Sequence, residues 1–124
     1  MFGPGDHGST FGGNPLSSAA AIAALGTLTP ARLAHIRRVG AYLESRLHDL
    51  ARRVKCIKEV RGMGLMWGIE LYHEGKDVVA KCLERKLLIN CTQDTVLRLL
   101  PPYTITPRDV DRALKILEPA IRHD

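Results

Sequence analysis

The sequence predicts an α/β chain of the α+β-like kind: a small, mainly antiparallel sheet with helices on one face. Three observations carry that expectation. Helix-type and strand-type apolar spacings follow one another in the order helix, helix, strand, strand, helix, strand, strand, helix. Three helix starts are written alike, a capping side chain and then proline, at Asn14-Pro15, Thr29-Pro30 and Thr106-Pro107. Between the second and third of these, the apolar period shortens to two residues around Trp67.

The cap-and-proline pairs share one physical basis. An Asn or Thr oxygen accepts from an N–H that the first helical turn leaves unpaired, and proline fits that turn because its missing donor would be unpaired anyway. The first helix, over about 15–26, is alanine-rich and apolar nearly all round, so its burial is expected. The second, over about 30–53, carries Leu33, Ile36, Gly40, Leu43, Leu47, Leu50 and Val54 as one stripe. Its charged residues, among them Arg37, Arg38, Glu44 and Arg52, should face water. Leu65, Trp67, Ile69 and Leu71 alternate with Met66, Gly68 and Glu70, which reads as a half-buried strand. Ile57 to Arg61 is its expected partner, joined through Gly62-Met63-Gly64 as a tight connection. A shorter helix over about 75–86 should place Val78, Val79, Cys82 and Leu83 on one face. Leu87 to Cys91 and Val96 to Leu100 read as short strands, the second closed by Pro101-Pro102. The last helix, over about 107–121, repeats the stripe with Val110, Ala113, Leu114, Leu117 and Ile121.

Composition narrows the class. With 124 residues, 45% hydrophobic and 25% charged, the chain can bury one core, which excludes collagen-like, disordered and multidomain readings. The longest apolar stretch, Leu16 to Leu28, is broken by Ser17, Ser18, Gly26 and Thr27 and is shorter than the roughly 20 residues of a membrane span. No basic segment precedes Met1-Phe2-Gly3-Pro4-Gly5-Asp6, so the expectation is a cytoplasmic protein without a signal peptide. Cys56, Cys82 and Cys91 fit neither a zinc knuckle nor a disulfide framework and read as reduced, apolar fillers. His7, His35, His48, His73 and His123 form no metal-like cluster, and His35 and His48 are expected to be solvated.

The formal charge of +5 raises nucleic acid as a partner. Against it, Glu44, Asp49 and Glu59 interleave with the arginines of 32–61, and the sequence has no aromatic-rich strand on which bases could stack. A solvated helix face is the better reading. The alternative is a stand-alone basic module that binds nucleic acid or an acidic partner.

Two segments could carry chemistry. His7-Gly8-Ser9-Thr10-Phe11-Gly12-Gly13-Asn14-Pro15 sets two hydroxyls and glycine-flanked N–H groups just before a helix start, a place suited to an anion. Spacing alone also allows an arm ending in an ordinary N-cap. The residues before Asn14 hold no core pattern, and something else is expected to cover both this arm and the apolar helix behind it. Gly62, Gly64 and Gly68 are one residue off a dinucleotide fingerprint and precede a strand, so they read as a turn and a close-packing point.

His7 to Pro15 and its alanine-rich helix resemble the class III (subgroup II) pyridoxal-phosphate aminotransferases, and among them the acetylornithine aminotransferases. The resemblance continues through Val60-Arg61-Gly62-Met63-Gly64-Leu65-Met66-Trp67-Gly68-Ile69-Glu70-Leu71, Leu87-Leu88-Ile89-Asn90 and Val96-Leu97-Arg98-Leu99-Leu100-Pro101-Pro102, in order along nearly the whole chain. It implies the C-terminal domain of a fold-type I pyridoxal-phosphate transferase. Residues 1–28 would be an arm and connecting helix, and 29–124 the small domain. It further implies a homodimer that uses amino-acid and 2-oxo-acid substrates, with no membrane or nucleic-acid partner.

Residue by residue, Thr10 matches the threonine that bonds the cofactor phosphate across the dimer interface. Ser9 matches a substrate-contacting position. Arg98 matches the arginine that pairs with a substrate carboxylate, a role suited to a planar guanidinium; without the resemblance the better reading is a solvent-facing strand arginine. The Schiff-base lysine of the family lies before the His-Gly-Ser-Thr motif, whereas the first lysine here is Lys55. The chain alone is therefore expected to be inactive, with no covalently held cofactor and no catalytic residue of its own. Borohydride reduction with pyridoxal phosphate, followed by peptide mass mapping, should label no single lysine stoichiometrically.

Overall fold

The computed structural model describes residues 3–122, so the readings that touch Met1, Phe2 and His123 lie outside the described residues. Eight elements follow in the expected order: α1 (Pro15–Gly26), α2 (Pro30–Arg53), β1 (Ile57–Met63), β2 (Met66–Leu71), α3 (Lys76–Glu84), β3 (Asn90–Thr92), β4 (Val96–Leu99) and α4 (Pro107–Ile121). They group into two compact units, Met1–Leu33 and Ala34–Asp124.

In the first unit, Asn14 caps α1 as its sequence implies. Its Oδ1 accepts from Ser17 N at 3.0 Å, and its Nδ2 donates to Ser17 Oγ at 2.9 Å. The expected burial of α1 is not met by the described residues. None of its residues is buried, and Leu16, Ile22 and Leu25 are exposed. A helix apolar on every side needs cover on every side, and the described residues do not supply it.

The second unit is a four-stranded antiparallel sheet of order β1-β2-β4-β3 with its helices. One face of the sheet presents Trp67, Ile69, Leu71 and Leu97 to the core. They meet Leu43, Leu47 and Leu50 of α2, Val78 and Cys82 of α3, and Val110, Leu114, Leu117 and Ile121 of α4. The opposite face is open: Met66 and Arg98 are exposed, and Gly68 and Glu70 are half-buried. Strand alternation thus sorts the sequence into core and surface as its pattern predicts.

Thr106 closes the start of α4 with a capping box: its hydroxyl accepts from Asp109 N at 3.3 Å, and Asp109 Oδ2 accepts from Thr106 N at 3.0 Å. Thr29 Oγ1 likewise accepts from Arg32 N at 3.2 Å at the start of α2.

Four local expectations are corrected. The third strand begins at Asn90 rather than Leu87, because Lys86 turns to φ 64° and Leu87 N–H bonds back to Cys82 O at 2.9 Å. That closure ends α3 and carries Leu87 to Ile89 past the sheet without pairing. Leu83 is exposed rather than part of the buried face of α3. β1 runs on through Gly62 and Met63, which pair with Trp67 and Met66, so the hairpin turn is Gly64-Leu65. His35 is not solvated; it is half-buried, and its Nε2 donates to Ile105 O at 2.9 Å, tying α2 to the segment before α4.

Gly64 and Gly68 take the turn and packing roles read for them, whereas Gly62 lies within β1. Gly64 supplies the turn at φ 59°. A Cβ at Gly62 would lie 2.7 Å from Trp67 Cδ2, and one at Gly40 would lie 2.8 Å from the carbonyl oxygen of Gly64. The hairpin tip therefore rests against α2 at Gly40. Gly40→Ala should destabilise the fold although alanine gains about 1 kcal/mol of helix propensity. The added methyl meets backbone, and overpacking of this sort costs about 1–3 kcal/mol. Urea unfolding of Gly40→Ala against the parent checks the sign.

Candidate functional site

The arm before α1 is organised by its own short-range bonds. Gly3 N donates to Asp6 Oδ2 at 2.6 Å, and Gly12 N donates to Ser9 Oγ at 2.9 Å. Asn14 Nδ2 reaches back to Phe11 O. Gly5 and Gly13 take φ 93° and 75°, where a side chain would be strained. The result is a turned segment with Ser9 and Thr10 both exposed. Ser9 Oγ is occupied as an acceptor, which leaves its proton to donate. Both hydroxyls stand before a capped helix start, a donor set that suits the oxygens of a phosphate.

In the second unit, Arg98 lies on the open face of the sheet. Register places it opposite Gly68 on one side and Asn90 on the other. Gly68 has no side chain to cover it, and Asn90 Oδ1 accepts from Arg98 Nε at 3.3 Å. Among the described residues, no carboxylate pairs with Arg98.

The same row contains a second guanidinium, Arg61, opposite Gly68 on β1. Its situation is the reverse. Arg61 Nη1 lies 2.7 Å from Glu59 Oε2 and 2.5 Å from Glu70 Oε2, while Lys58 Nζ lies 2.5 Å from Glu70 Oε1. The hydrogen bonds from Lys58 and Arg61 hold the Glu70 carboxyl below its ordinary range; the bond to Glu70 likewise raises Lys58 and Arg61. Arg61 is a neutralised strut, and Arg98 is an available cation.

This network is absent from the sequence reading. Its signal was the charged run Lys58, Glu59 and Arg61 facing Glu70, which becomes visible only once the Gly64 turn fixes which residues lie opposite. Also unforeseen is a link from α2 to α4: Tyr42 Oη donates to the Asp111 carboxylate (2.8 Å to Oδ1, 2.9 Å to Oδ2), and Arg46 Nε lies 3.0 Å from Asp111 Oδ1. The hydrogen bond to Asp111 raises the Tyr42 hydroxyl above its ordinary pKa.

An apolar cavity of about 430 Å³ lies among Leu43, Leu87, Ile89, Leu99, Val110 and Leu114. Leu99 alternates with Arg98 along β4, so this cavity and the guanidinium belong to opposite faces. Cys56, Cys82 and Cys91 are free thiols; burial pushes the Cys82 thiol up, away from reactivity. Among the described residues, no three of His, Cys, Asp and Glu come together to hold a metal ion. No single helix there is long and apolar enough to cross a membrane.

The family model described as aminotransferase class-III matches residues 1–121. The chain belongs to the class-III aminotransferases. An acetylornithine aminotransferase from Aquifex aeolicus is 47% identical over 116 residues, covering 94% of this chain and 29% of its own length. An ornithine aminotransferase from Staphylococcus carnosus is 45% identical over 116 residues, covering 93% of this chain and 29% of its own. Among solved structures, the ornithine aminotransferase of Toxoplasma gondii superposes with a TM-score of 0.78 at 37% identity, covering 96% of this chain and 29% of that one. That structure is described with pyridoxal phosphate at partial occupancy in its active site. Pyridoxal phosphate is the cofactor of the class-III family, and the solved structures on which this fold superposes are fold-type I aminotransferases. The chain spans about 30% of the length of the relatives it matches. These relatives lend no support to the nucleic-acid alternative.

Because the folded-state carboxyl of Glu70 titrates below its unfolded value, its contribution to stability is complete above the ordinary carboxylate range. It is lost as pH falls through the lowered value. Asp109, lowered first by its hydrogen bond with Thr106, acts in the same direction. Urea midpoints measured against pH should therefore fall on acidification, and Glu70→Gln should flatten part of that fall.

Proposed function

We propose that this chain is the C-terminal portion of an acetylornithine-type aminotransferase: residues 1–28 an arm and connecting helix, residues 29–124 the small domain. The parent reaction transfers an amino group from N2-acetylornithine to 2-oxoglutarate, in arginine biosynthesis, in a cytoplasmic homodimer. The observation that carries this reading is Arg98, an exposed guanidinium with a neutral partner, standing on a sheet face where its neighbour Arg61 is already neutralised.

N2-acetylornithine, acetylated on its α-amine, reacts at its terminal carbon, whereas 2-oxoglutarate carries a carboxylate beside its reacting carbon. Arg98 binds it through parallel charge-assisted bonds and so fixes the orientation of that carbon. Thr10 donates its hydroxyl to the cofactor phosphate across the dimer interface, with the polarised N–H groups at the start of α1 favouring the negative charge. Ser9, whose oxygen is held by Gly12 N–H, directs its proton toward the substrate. Pyridoxal phosphate, when bound, supplies a carbonyl carbon to accept the amino group and a ring that withdraws electrons from the reacting centre. The lysine that would hold it covalently is not among Lys55, Lys58, Lys76, Lys81, Lys86 and Lys115, so the chain by itself is inactive.

The test is substitution of Arg98 in the complete enzyme. Arg98→Lys keeps the charge and loses the planar fork. A charged hydrogen bond contributes about 1.5–3 kcal/mol, so KM for 2-oxoglutarate should rise about tenfold to a hundredfold. An unchanged KM overturns the assignment.

A further inference from the structure

We infer that Asn90 is the positioning residue for Arg98: its amide oxygen takes the Nε–H and leaves the two terminal nitrogens to grip a carboxylate end-on. The inference rests on the carboxylate role proposed for Arg98 and adds how that arginine is presented.

Three observations meet at this point. Asn90 opens β3 and pairs in register with Arg98 on β4, so the two side chains share a face by backbone geometry. Asn90 Oδ1 accepts from Arg98 Nε at 3.3 Å. On the other flank Gly68 presents no side chain, so Asn90 is the neighbour across the strands that can steer the guanidinium.

The residue type matters. A guanidinium can present either its Nε/Nη edge or its Nη1/Nη2 end to a carboxylate. With Nε engaged, only the end remains. An amide oxygen achieves this without cancelling charge, whereas a carboxylate at position 90 would capture the arginine as Glu59 and Glu70 capture Arg61. The next row of the same face is consistent: Glu70, opposite Val96, is held by Lys58 and Arg61.

The experiment uses the 124-residue chain labelled with 15N-arginine, with glutarate as the probe. Arg98 is assigned by the signal lost in Arg98→Lys. In the parent chain, glutarate should saturably shift the terminal-nitrogen signals of Arg98 while its Nε signal moves little. Asn90→Ala should displace the Nε–H resonance, speed its exchange with water and weaken glutarate about threefold to tenfold, the cost of ordering one side chain that Asn90 no longer holds. Asn90→Asp, of the same shape, should suppress the glutarate response by more than Asn90→Ala does. An unmoved Nε–H signal with unchanged affinity in Asn90→Ala overturns the role of Asn90 while leaving the carboxylate role of Arg98 standing. An Arg98 that ignores glutarate in the parent chain overturns both.

Discussion

The register of β4 against β2 is the constraint on which the rest depends. Leu97 lies fully buried opposite Ile69, and the alternation of a strand then sends Arg98 to the other face. A slip of one residue would put the guanidinium into the core and Leu97 into water, an exchange that costs far more than any local rearrangement could recover. The apolar core under α2 and α4 therefore aims the polar face. Gly68 keeps that face low between Arg61 and Arg98, and its missing Cβ is what Val96 packs against, with Cγ1 3.2 Å from where one would stand. The placement of Arg98 is a by-product of good packing rather than an addition to it.

Much of this was legible from residue order because the signals were local. Asn14-Pro15 and Thr106-Pro107 set helix starts through bonds that span three residues, and both caps form as written. The β2 strand announced itself by strict alternation from Leu65 to Leu71. What failed to show depended on closure or pairing. The start of β3 was misplaced because Leu87 to Ile89 are as apolar as a strand, and only the left-handed turn at Lys86 removes them from the sheet. His35 looked solvated because its partner, the Ile105 carbonyl, is distant along the chain.

The site divides in the same way. Ser9, Thr10 and Arg98 are candidates named by a family likeness carried by short motifs, and the chain's membership in the class-III aminotransferases is shown by a match from residue 1 to 121. The network of Lys58, Glu59, Arg61 and Glu70 was invisible, since four charged residues on two strands declare nothing until the hairpin turn says which of them are opposite. The apolar α1 presents the converse problem: its composition asks for a surrounding, and the described residues of its own unit provide none.

The sheet order has one more effect. With β1 and β3 outermost, both rims are poor templates for an incoming strand. One is studded with Lys58, Glu59 and Arg61, and the other is only three residues long. Growth of the sheet into fibrils is therefore disfavoured by the border it was built with.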